Sequence, residues 1–332
     1  MTEPRLDVLA IGNAIVDVIA AADEDFLLAE GLDKGSMRLI DAEAATRLYD
    51  KMGPGREVSG GSAGNTAAGV AMLGGRAGFV GQVADDQLGE VYAHDIQSVG
   101  VEFTTPRRSP DEAPTARCLV LVTADAQRTM NTFLGAAQNL EPGAIDADQV
   151  RSAAILYLEG YLWDPETPRA AMERAIDIAR EAGRKVAFTL SDSFCIDRHR
   201  DGFNGLIDSG RIDILFANEA EIMSLTGEQG FDAAVASAAG RVPLLVVTRS
   251  EKGALAVEGG SRVEVPAEPV ERVVDTTGAG DLFAAGFLTG HAQGRTIEQS
   301  LRMGAIAAAE VISHYGARPE ADLKALVADR LG

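Results

Sequence analysis

The chain has 332 residues, 46% hydrophobic and 24% charged, with 50 acidic against 30 basic side chains and a net charge of −20. That length accommodates one large domain or two ordinary ones. The acidic balance speaks against nucleic-acid or anionic-membrane partners, which are held by clustered Lys and Arg, but leaves open a small phosphorylated ligand that needs only a local positive site.

Cys118 and Cys195 are the only cysteines, too few for a disulfide scaffold or a zinc ribbon. The N-terminal MTEPRLD is polar and leads into no apolar h-region, and no apolar run approaches a membrane span. A cytoplasmic location without a membrane partner is expected.

In chain order, Leu6–Ile11 reads as a buried strand ending in the turn Gly12-Asn13. The next apolar run, Ala14–Ala22, is interrupted by Asp17. Either Asp17 is the solvent-facing residue of a half-exposed strand, or it is a carboxylate placed to accept hydroxyl hydrogen bonds. Met37–Ile40 is a short strand, Asp41 caps a helix running to Met52, and Gly53-Pro54-Gly55 breaks it. The segment 59–75 opens with crowded glycines and continues as a helix packed through Ala67, Val70, Ala71 and Leu73. Ala77–Val83 is a strand, and Asp85-Asp86 opens a helix to about Gln97. Arg117–Thr123 and Arg128–Leu134 form a hairpin around residues 124–127.

Strands then alternate with helices. Strands are expected near Ile155–Leu158, Lys185–Leu190, Ile212–Phe216 and Leu244–Thr248. Helices are expected near Glu166–Ala182, Glu219–Leu225 and Phe231–Ala239. A meander at Ala254–Val257 and Arg262–Val265 leads to a last turn and two or three helices. This alternation predicts an α/β fold whose mostly parallel sheet carries helices on both faces. The stretches 14–41 and 104–134 are β-rich and are expected to pair as a small sheet that lids the site, within a single domain spanning 1–332.

The most informative stretch is VVDTTGAGDLFAAGFLTG, 273–290. It reads as a strand end at Val273-Val274, a turn of Asp275, Thr276 and Thr277, and a helix with an apolar face. Gly278, Ala279 and Gly280 leave the first helical N–H groups bare, where the helix dipole also favours an anion. A carboxylate in that turn, Asp281, would repel a phosphate unless it takes a proton from a hydroxyl that attacks the phosphorus. The pattern alone also allows a capped helix with Asp281 complementing the dipole.

Gly60 and Gly61 in GGSAGN let a ligand approach the backbone, and the Asn65 amide both donates and accepts. A tightly packed helix start reads the same way. Gly60 to Gly64 also satisfies G-x-S-x-G, which raises a serine hydrolase with Ser62 as nucleophile. Asn218 and Glu221 stand three apart after a strand, which suits a helix cap with first-turn acids as well as a water-shelled Mg²⁺ beside phosphates.

DTTGAGD resembles the C-terminal signature of the PfkB/ribokinase family of small-molecule kinases at every fixed position, and GGSAGN resembles its second signature. The resemblance spans nearly the whole chain and implies a ribokinase-like fold and ATP-dependent phosphoryl transfer. It implies an anion hole at Gly278, Ala279 and Gly280, with Asp281 as base. It implies acceptor contacts at Asp17, Gly60, Gly61 and Asn65, and Mg²⁺ near Asn218 and Glu221. Nucleotide contacts are implied at Thr248, Arg249, Ser250 and Gly253, with Ser250 standing where the family usually has Gly. Asp275, Thr277 and Gly316 match positions that bind a monovalent cation, K⁺, in some relatives.

Within the family, GNAIVDVIA, LGAAQNL, LEGYLW and LSDSF run closest to the adenosine kinases. That match implies a base pocket of Ile15, Leu39, Leu134, Ala136, Tyr161 and Phe194, and adenosine as acceptor. A ribokinase- or fructokinase-like sugar acceptor is the alternative. The expected assembly is a monomer or a homodimer.

Overall fold

The computed structural model describes residues 3–125 and 127–331. Strand β1 (Leu6–Ile11) is followed by β2 (Ile15–Ala21), α1 (Glu24–Ala29), β3 (Met37–Leu39), α2 (Ala42–Lys51) and β4 (Arg56–Gly60). Helix α3 (Ser62–Met72) leads to β5 (Ala77–Val80), α4 (Gln87–Ser98), β6 (Glu102–Phe103) and the hairpin β7 (Ala116–Val122) and β8 (Arg128–Phe133). Alternation then sets in with α5 (Ala147–Ser152), β9 (Ala153–Glu159), α6 (Glu166–Glu181), β10 (Lys185–Thr189), α7 (Ser193–Asp208) and β11 (Ile214–Asn218). It continues with α8 (Glu219–Thr226), α9 (Phe231–Ala239) and β12 (Leu244–Thr248). The pair β13 (Ala254–Glu258) and β14 (Ser261–Val265) precedes α10 (Ala279–Ala292), α11 (Ile297–Val311) and α12 (Leu323–Leu331).

A nine-stranded sheet runs β14-β13-β12-β11-β10-β9-β1-β5-β6. Its pairs are parallel from β12 through to β6, while β13 and β14 add an antiparallel edge. The central parallel strands are mostly apolar because helices cover both faces, with polar residues such as Asp7 few among them. Alternate residues of each strand feed opposite layers. Val8, Tyr157 and Val246 pack with α3, α10 and α11, and Leu9, Leu156 and Val247 pack with α6, α7 and α8.

A five-stranded sheet runs β3-β8-β7-β2-β4. Val16, Val18 and Ala20 of β2 point into the core, which leaves Ile15, Asp17 and Ile19 on the other face. Among the described residues no helix is long and apolar enough to cross a membrane.

Several expectations shift. The small sheet takes a fifth strand, β4, beginning between the Gly53-Pro54-Gly55 breaker and the glycine-rich motif, where Arg56–Gly60 pairs antiparallel with β2 and passes from exposed to buried along its length. The stretch 104–115 contributes no strand to it. Val273 and Val274 do not end a strand, since the backbone from 266 to 276 is irregular. Helix α7 was not foreseen. Its sequence, SFCIDRHRDGFNGLID, is charged and carries two glycines, and its helical geometry breaks at His199. The predicted hairpin forms, with residue Ala126 of its turn outside the described residues.

Candidate active site

The carboxyl ends of the parallel strands, where ligands bind in open α/β sheets, collect most of the candidate residues. Helices α3 and α10 pack closely there. A methyl group added at Gly69 would come within 2.7 Å of Ala285 Cβ and of Leu282 Cδ1, so the small residues set the helix separation. That approach brings the start of α3 onto Asp281. Ser62 Oγ donates to Asp281 Oδ1 at 2.6 Å, and Asn65 Nδ2 donates to Oδ2 at 3.0 Å. Ser62 is therefore engaged with a carboxylate, and among the described residues no histidine bonds it, as a hydrolase triad would require. Burial raises the Asp281 pKa, with the two hydrogen bonds and the Arg318 charge working against it.

Gly278 caps α10 with φ +79°, and the Ala279 N–H is taken by Thr276 O at 3.2 Å. Among the described residues no acceptor takes the Gly280 or Asp281 N–H. A Cβ on Gly280 would meet nothing within 4 Å. The turn thus offers bare donors beside empty space, beneath a carboxylate held by two donors.

Asp17 lies against Gly60, where an added methyl would sit 2.5 Å from Asp17 Oδ2. Asn65 Oδ1 is buried with no hydrogen-bond partner, an acceptor waiting for a donor. Behind these residues stands Glu159, which the sequence reading did not single out. It is fully buried and accepts from Asn13 N and Asn13 Nδ2, each at 2.7 Å, and from Ala63 N at 2.7 Å. It ties the turn after β1 to the start of α3.

Burial raises Asp17 to about 6, opposed by Arg128 and Arg318 and reinforced by Asp281. Burial raises Glu159 to about 7 against its N–H bonds. A carboxyl with a raised folded pKa binds its proton more tightly in the folded state. Its stabilising contribution is full below the unfolded pKa and fades as pH rises through the folded one. Thermal melts at constant ionic strength are therefore expected to show Tm falling from about pH 5 to about pH 7.5, and Asp17→Asn to shrink that fall. An unchanged slope in the variant would contradict the burial of Asp17.

At the predicted monovalent-cation position the side chains are bonded to protein groups. Arg128, at the start of β8, donates from Nη1 to Asp275 Oδ2 and to Thr277 Oγ1, the latter at 3.0 Å. Asp275 also accepts from Gly316 N at 2.9 Å, Thr277 N at 3.0 Å and Thr277 Oγ1 at 2.7 Å. Burial opposes ionisation of Asp275, but these donors hold it below the usual carboxylate range. The Asp275 side chain is engaged by a guanidinium, two N–H groups and a hydroxyl, so a cation held here would be ligated through backbone carbonyls. The same contact ties the small sheet to the turn of α10.

Asn218 and Thr248 sit opposite one another at the ends of β11 and β12. Asn218 is the N-cap of α8 rather than a residue within it, and it faces Glu221 in a reciprocal capping box. Asn218 Oδ1 accepts from Glu221 N at 2.8 Å, and the Glu221 carboxylate accepts from Asn218 N at 2.9 Å and from Nδ2 at 2.6 Å. Burial raises Glu221 to about 7. Among the described residues no cluster of three or more His, Cys, Asp or Glu could cage a metal. One carboxylate with one donor on each oxygen keeps free lone pairs, which fits an ion held through water by a nucleotide.

Arg249 lies over the Phe231 ring at 4.2 Å and pairs with Glu219 at 3.6 Å. Gly253 has φ +85°, and an added Cβ would fall 2.1 Å from Val265 O. Ser250, the departure from the family pattern, has φ +51° and is exposed. A side chain in that left-handed region is strained, so Ser250→Gly is expected to stabilise the protein by about 0.5–1 kcal/mol, read as a rise in the denaturant midpoint.

The proposed base-pocket residues differ widely in exposure. Ile15 and Leu134 are half-buried, Leu39 is 62% exposed on β3, and Ala136 is fully buried, so its side chain presents no surface in this state. Tyr161 is half-buried and donates from its hydroxyl to Ser191 O at 3.3 Å. Phe194 is 73% exposed and makes no ring pair with Tyr161. Between the two aromatics, Ser191 has φ +71° inside a tight turn closed by Asp192 N donating to Leu190 O at 2.9 Å. Such strain in a non-glycine residue marks a position fixed by its surroundings.

The pfkB family carbohydrate kinase profile matches residues 7–323. The chain belongs to the pfkB family. Its members are phosphotransferases with hydroxyl acceptors, and so is this enzyme. The solved adenosine kinase from Sinorhizobium meliloti is 49% identical, covers 99% of this chain and 100% of its own, and superposes with a TM-score of 0.90. A probable sugar kinase from Rhizobium etli CFN 42 is 47% identical over 98% of this chain and 99% of its own, with a TM-score of 0.91. A 5-dehydro-2-deoxygluconokinase from Shouchella clausii is 29% identical over 98% of this chain and 97% of its own. The ribokinase-like fold expected from the two signatures is the fold observed.

Proposed function

We propose that this pfkB kinase transfers the γ-phosphoryl group of ATP to a primary hydroxyl of a nucleoside, with the adenosine 5′-hydroxyl as the favoured acceptor. The observation that carries the chemistry is the Asp281 carboxylate, bonded by Ser62 and Asn65 and set beside the unpartnered N–H groups of Gly280 and Asp281. Asp281 accepts the hydroxyl proton as the oxygen attacks the γ-phosphorus. The bond from that phosphorus to the β–γ bridging oxygen breaks, and ADP leaves with the electron pair. The Gly278-Ala279-Gly280 turn holds the charge on the moving phosphoryl group through the unpartnered N–H groups of Gly280 and Asp281. Asp17, Gly60, Gly61 and the unpartnered Asn65 Oδ1 take the hydroxyls of the acceptor's sugar. Asn218 and Glu221 would hold Mg²⁺ through water, where the ion neutralises phosphate charge. Thr248, Arg249, Ser250 and Gly253 border the nucleotide, and the small sheet covers the site against water.

The nucleoside reading is supported by whole-chain similarity to an adenosine kinase and by the aromatic side chains of Tyr161 and Phe194, which suit a base. The sugar reading is supported by the equally extensive likeness to a probable sugar kinase. ADP release from ATP and Mg²⁺ separates them when adenosine, guanosine, inosine, cytidine, ribose and fructose are compared, with Asp281→Asn as blank. Turnover with adenosine alone is expected. Turnover with a free sugar and not with nucleosides would retain Asp281 but overturn the base pocket.

A further inference from the structure

Arg318 belongs to the short segment after α11 that supports the anion turn. Two residues earlier, the Gly316 N–H bonds Asp275, and Ala317 packs where a methyl on Gly278 would come within 2.8 Å of its Cβ. Arg318 continues from this segment to the other signature. Its Nη2 donates to Ser59 O and to Ser59 Oγ, each at 2.7 Å, and its Nη1 donates to Gly64 O at 3.3 Å. Ser59 is held from its other side, donating from N and Oγ to Asp95 Oδ2 at 2.8 and 2.5 Å. The guanidinium therefore spans GGSAGN from the residue before it to its first helical turn. Two carbonyls and a hydroxyl orient it, and among the described residues it forms no direct ion pair.

The charges around it are unbalanced. Asp17 on β2, Asp281 on α10, and Tyr92 and Asp95 on α4 all act on Arg318. Buried Glu159 on β9 adds a further carboxyl near Asp281 and Tyr92. Arg128 on β8 opposes Asp17 but is bonded to Asp275. Arg318 is the cation that acts on both Asp17 and Asp281.

We propose that Arg318 is a positioning residue for phosphoryl transfer, fixing the Ser59–Gly64 backbone that meets the acceptor and supplying the counter-charge shared by Asp17 and Asp281. This rests on Asp281 as the base. The two duties separate by substitution. Arg318→Lys keeps the charge and loses the fork of donors, Arg318→Gln keeps a donor and loses the charge, and Arg318→Met loses both.

The experiment is the pH dependence of kcat/KM, from about pH 5 to about pH 9, for the wild type and the three variants with ATP, Mg²⁺ and the acceptor the wild type turns over. Removing a cation near two coupled carboxylates raises their apparent pKa values. Arg318→Gln and Arg318→Met are expected to move the acid limb up by about half a pH unit or more, and Arg318→Lys to leave it in place. Arg318→Lys is expected to raise the acceptor KM by about 3- to 10-fold through loosening of the Ser59–Gly64 backbone, with a smaller change in the ATP KM. If Arg318→Met does not fold, the Lys and Gln pair carries the comparison. Acid limbs that coincide in the wild type and Arg318→Gln, together with an unchanged acceptor KM in Arg318→Lys, would overturn the proposal, even with a lowered Tm. Failure of the underlying reading looks different, because Asp281→Asn would then retain wild-type turnover.

Discussion

Asp281→Asn is expected to lower kcat by about 10³- to 10⁴-fold while binding of ATP with Mg²⁺ persists, because general-base catalysis contributes on that scale. The amide has the shape of the carboxylate and cannot take the proton. Its effect on stability is expected to be small, because two changes oppose each other. Burial disfavours the ionised Asp281, and the neutral amide removes that cost. Against this, Ser62 and Asn65 both donate to the carboxylate, and the amide replaces a charged acceptor with a neutral one, keeping both contacts by accepting from Asn65 and donating to the Ser62 hydroxyl. A net Tm change of a few degrees or less is expected, since a neutral hydrogen bond is worth about 1 kcal/mol. Calorimetric titration with ATP and Mg²⁺, next to single-turnover kinetics, separates binding from chemistry. Near-normal turnover would remove Asp281 from the role of base. Loss of ATP affinity together with turnover would mean that the substitution had collapsed the anion turn.

The parts of this site legible in the sequence are those where backbone requirements restrict residue type. Gly278, Ala279 and Gly280 could be read as a tight turn into a helix because such a turn restricts side chains, and Asp281 stood out because a carboxylate at a helix start that favours an anion is out of place without a proton to move. The alternation of strands and helices was legible for a similar reason, since parallel strands covered on both faces must be mostly apolar. Contacts between distant segments were not legible. Nothing local to Ser62 indicates that its hydroxyl points at Asp281 rather than at a histidine. That depends on α3 and α10 packing through Gly69 and Ala285. Glu159 reads as the polar end of a buried strand until Asn13 and Ala63 are seen to converge on it. Arg128 reads as the first residue of a hairpin strand, and Asp275 as a turn residue. Their pairing, which occupies the Asp275 carboxylate, exists only once the small sheet is docked. Asn218 and Glu221 show the limit from the other side. The capping-box spacing was visible, and a capping box is what forms, but its place beside Thr248 comes from the register of β11 against β12.

The two glycines of the anion turn are expected to respond to alanine in opposite ways. Gly278 has φ +79°, and its added methyl would lie 2.8 Å from Ala317 Cβ and 2.9 Å from Ala317 Cα. Neither the conformation nor the Ala317 backbone can give way cheaply, so Gly278→Ala should destabilise by on the order of 2–3 kcal/mol. Turnover should fall along with the folded fraction. Gly280 lies within the first turn of α10, with no positive φ and nothing within 4 Å of an added methyl. Gly280→Ala should leave Tm unchanged or raise it, since alanine is favoured over glycine in a helix by about 0.5–1 kcal/mol. Its methyl would nevertheless stand in the open space beside the bare N–H groups, where a phosphoryl oxygen must come within hydrogen-bond reach. A loss of about 10²-fold in kcat/KM is therefore expected, comparable to deleting one donor from an oxyanion hole. A folded, equal or more stable, and nearly inactive Gly280→Ala would show that glycine is required there for a ligand rather than for the fold. Melting curves and steady-state kinetics on the same preparations decide it. If Gly280→Ala lost stability and activity together, the empty space beside the turn would be a matter of packing, and the anion hole would have to be sought elsewhere.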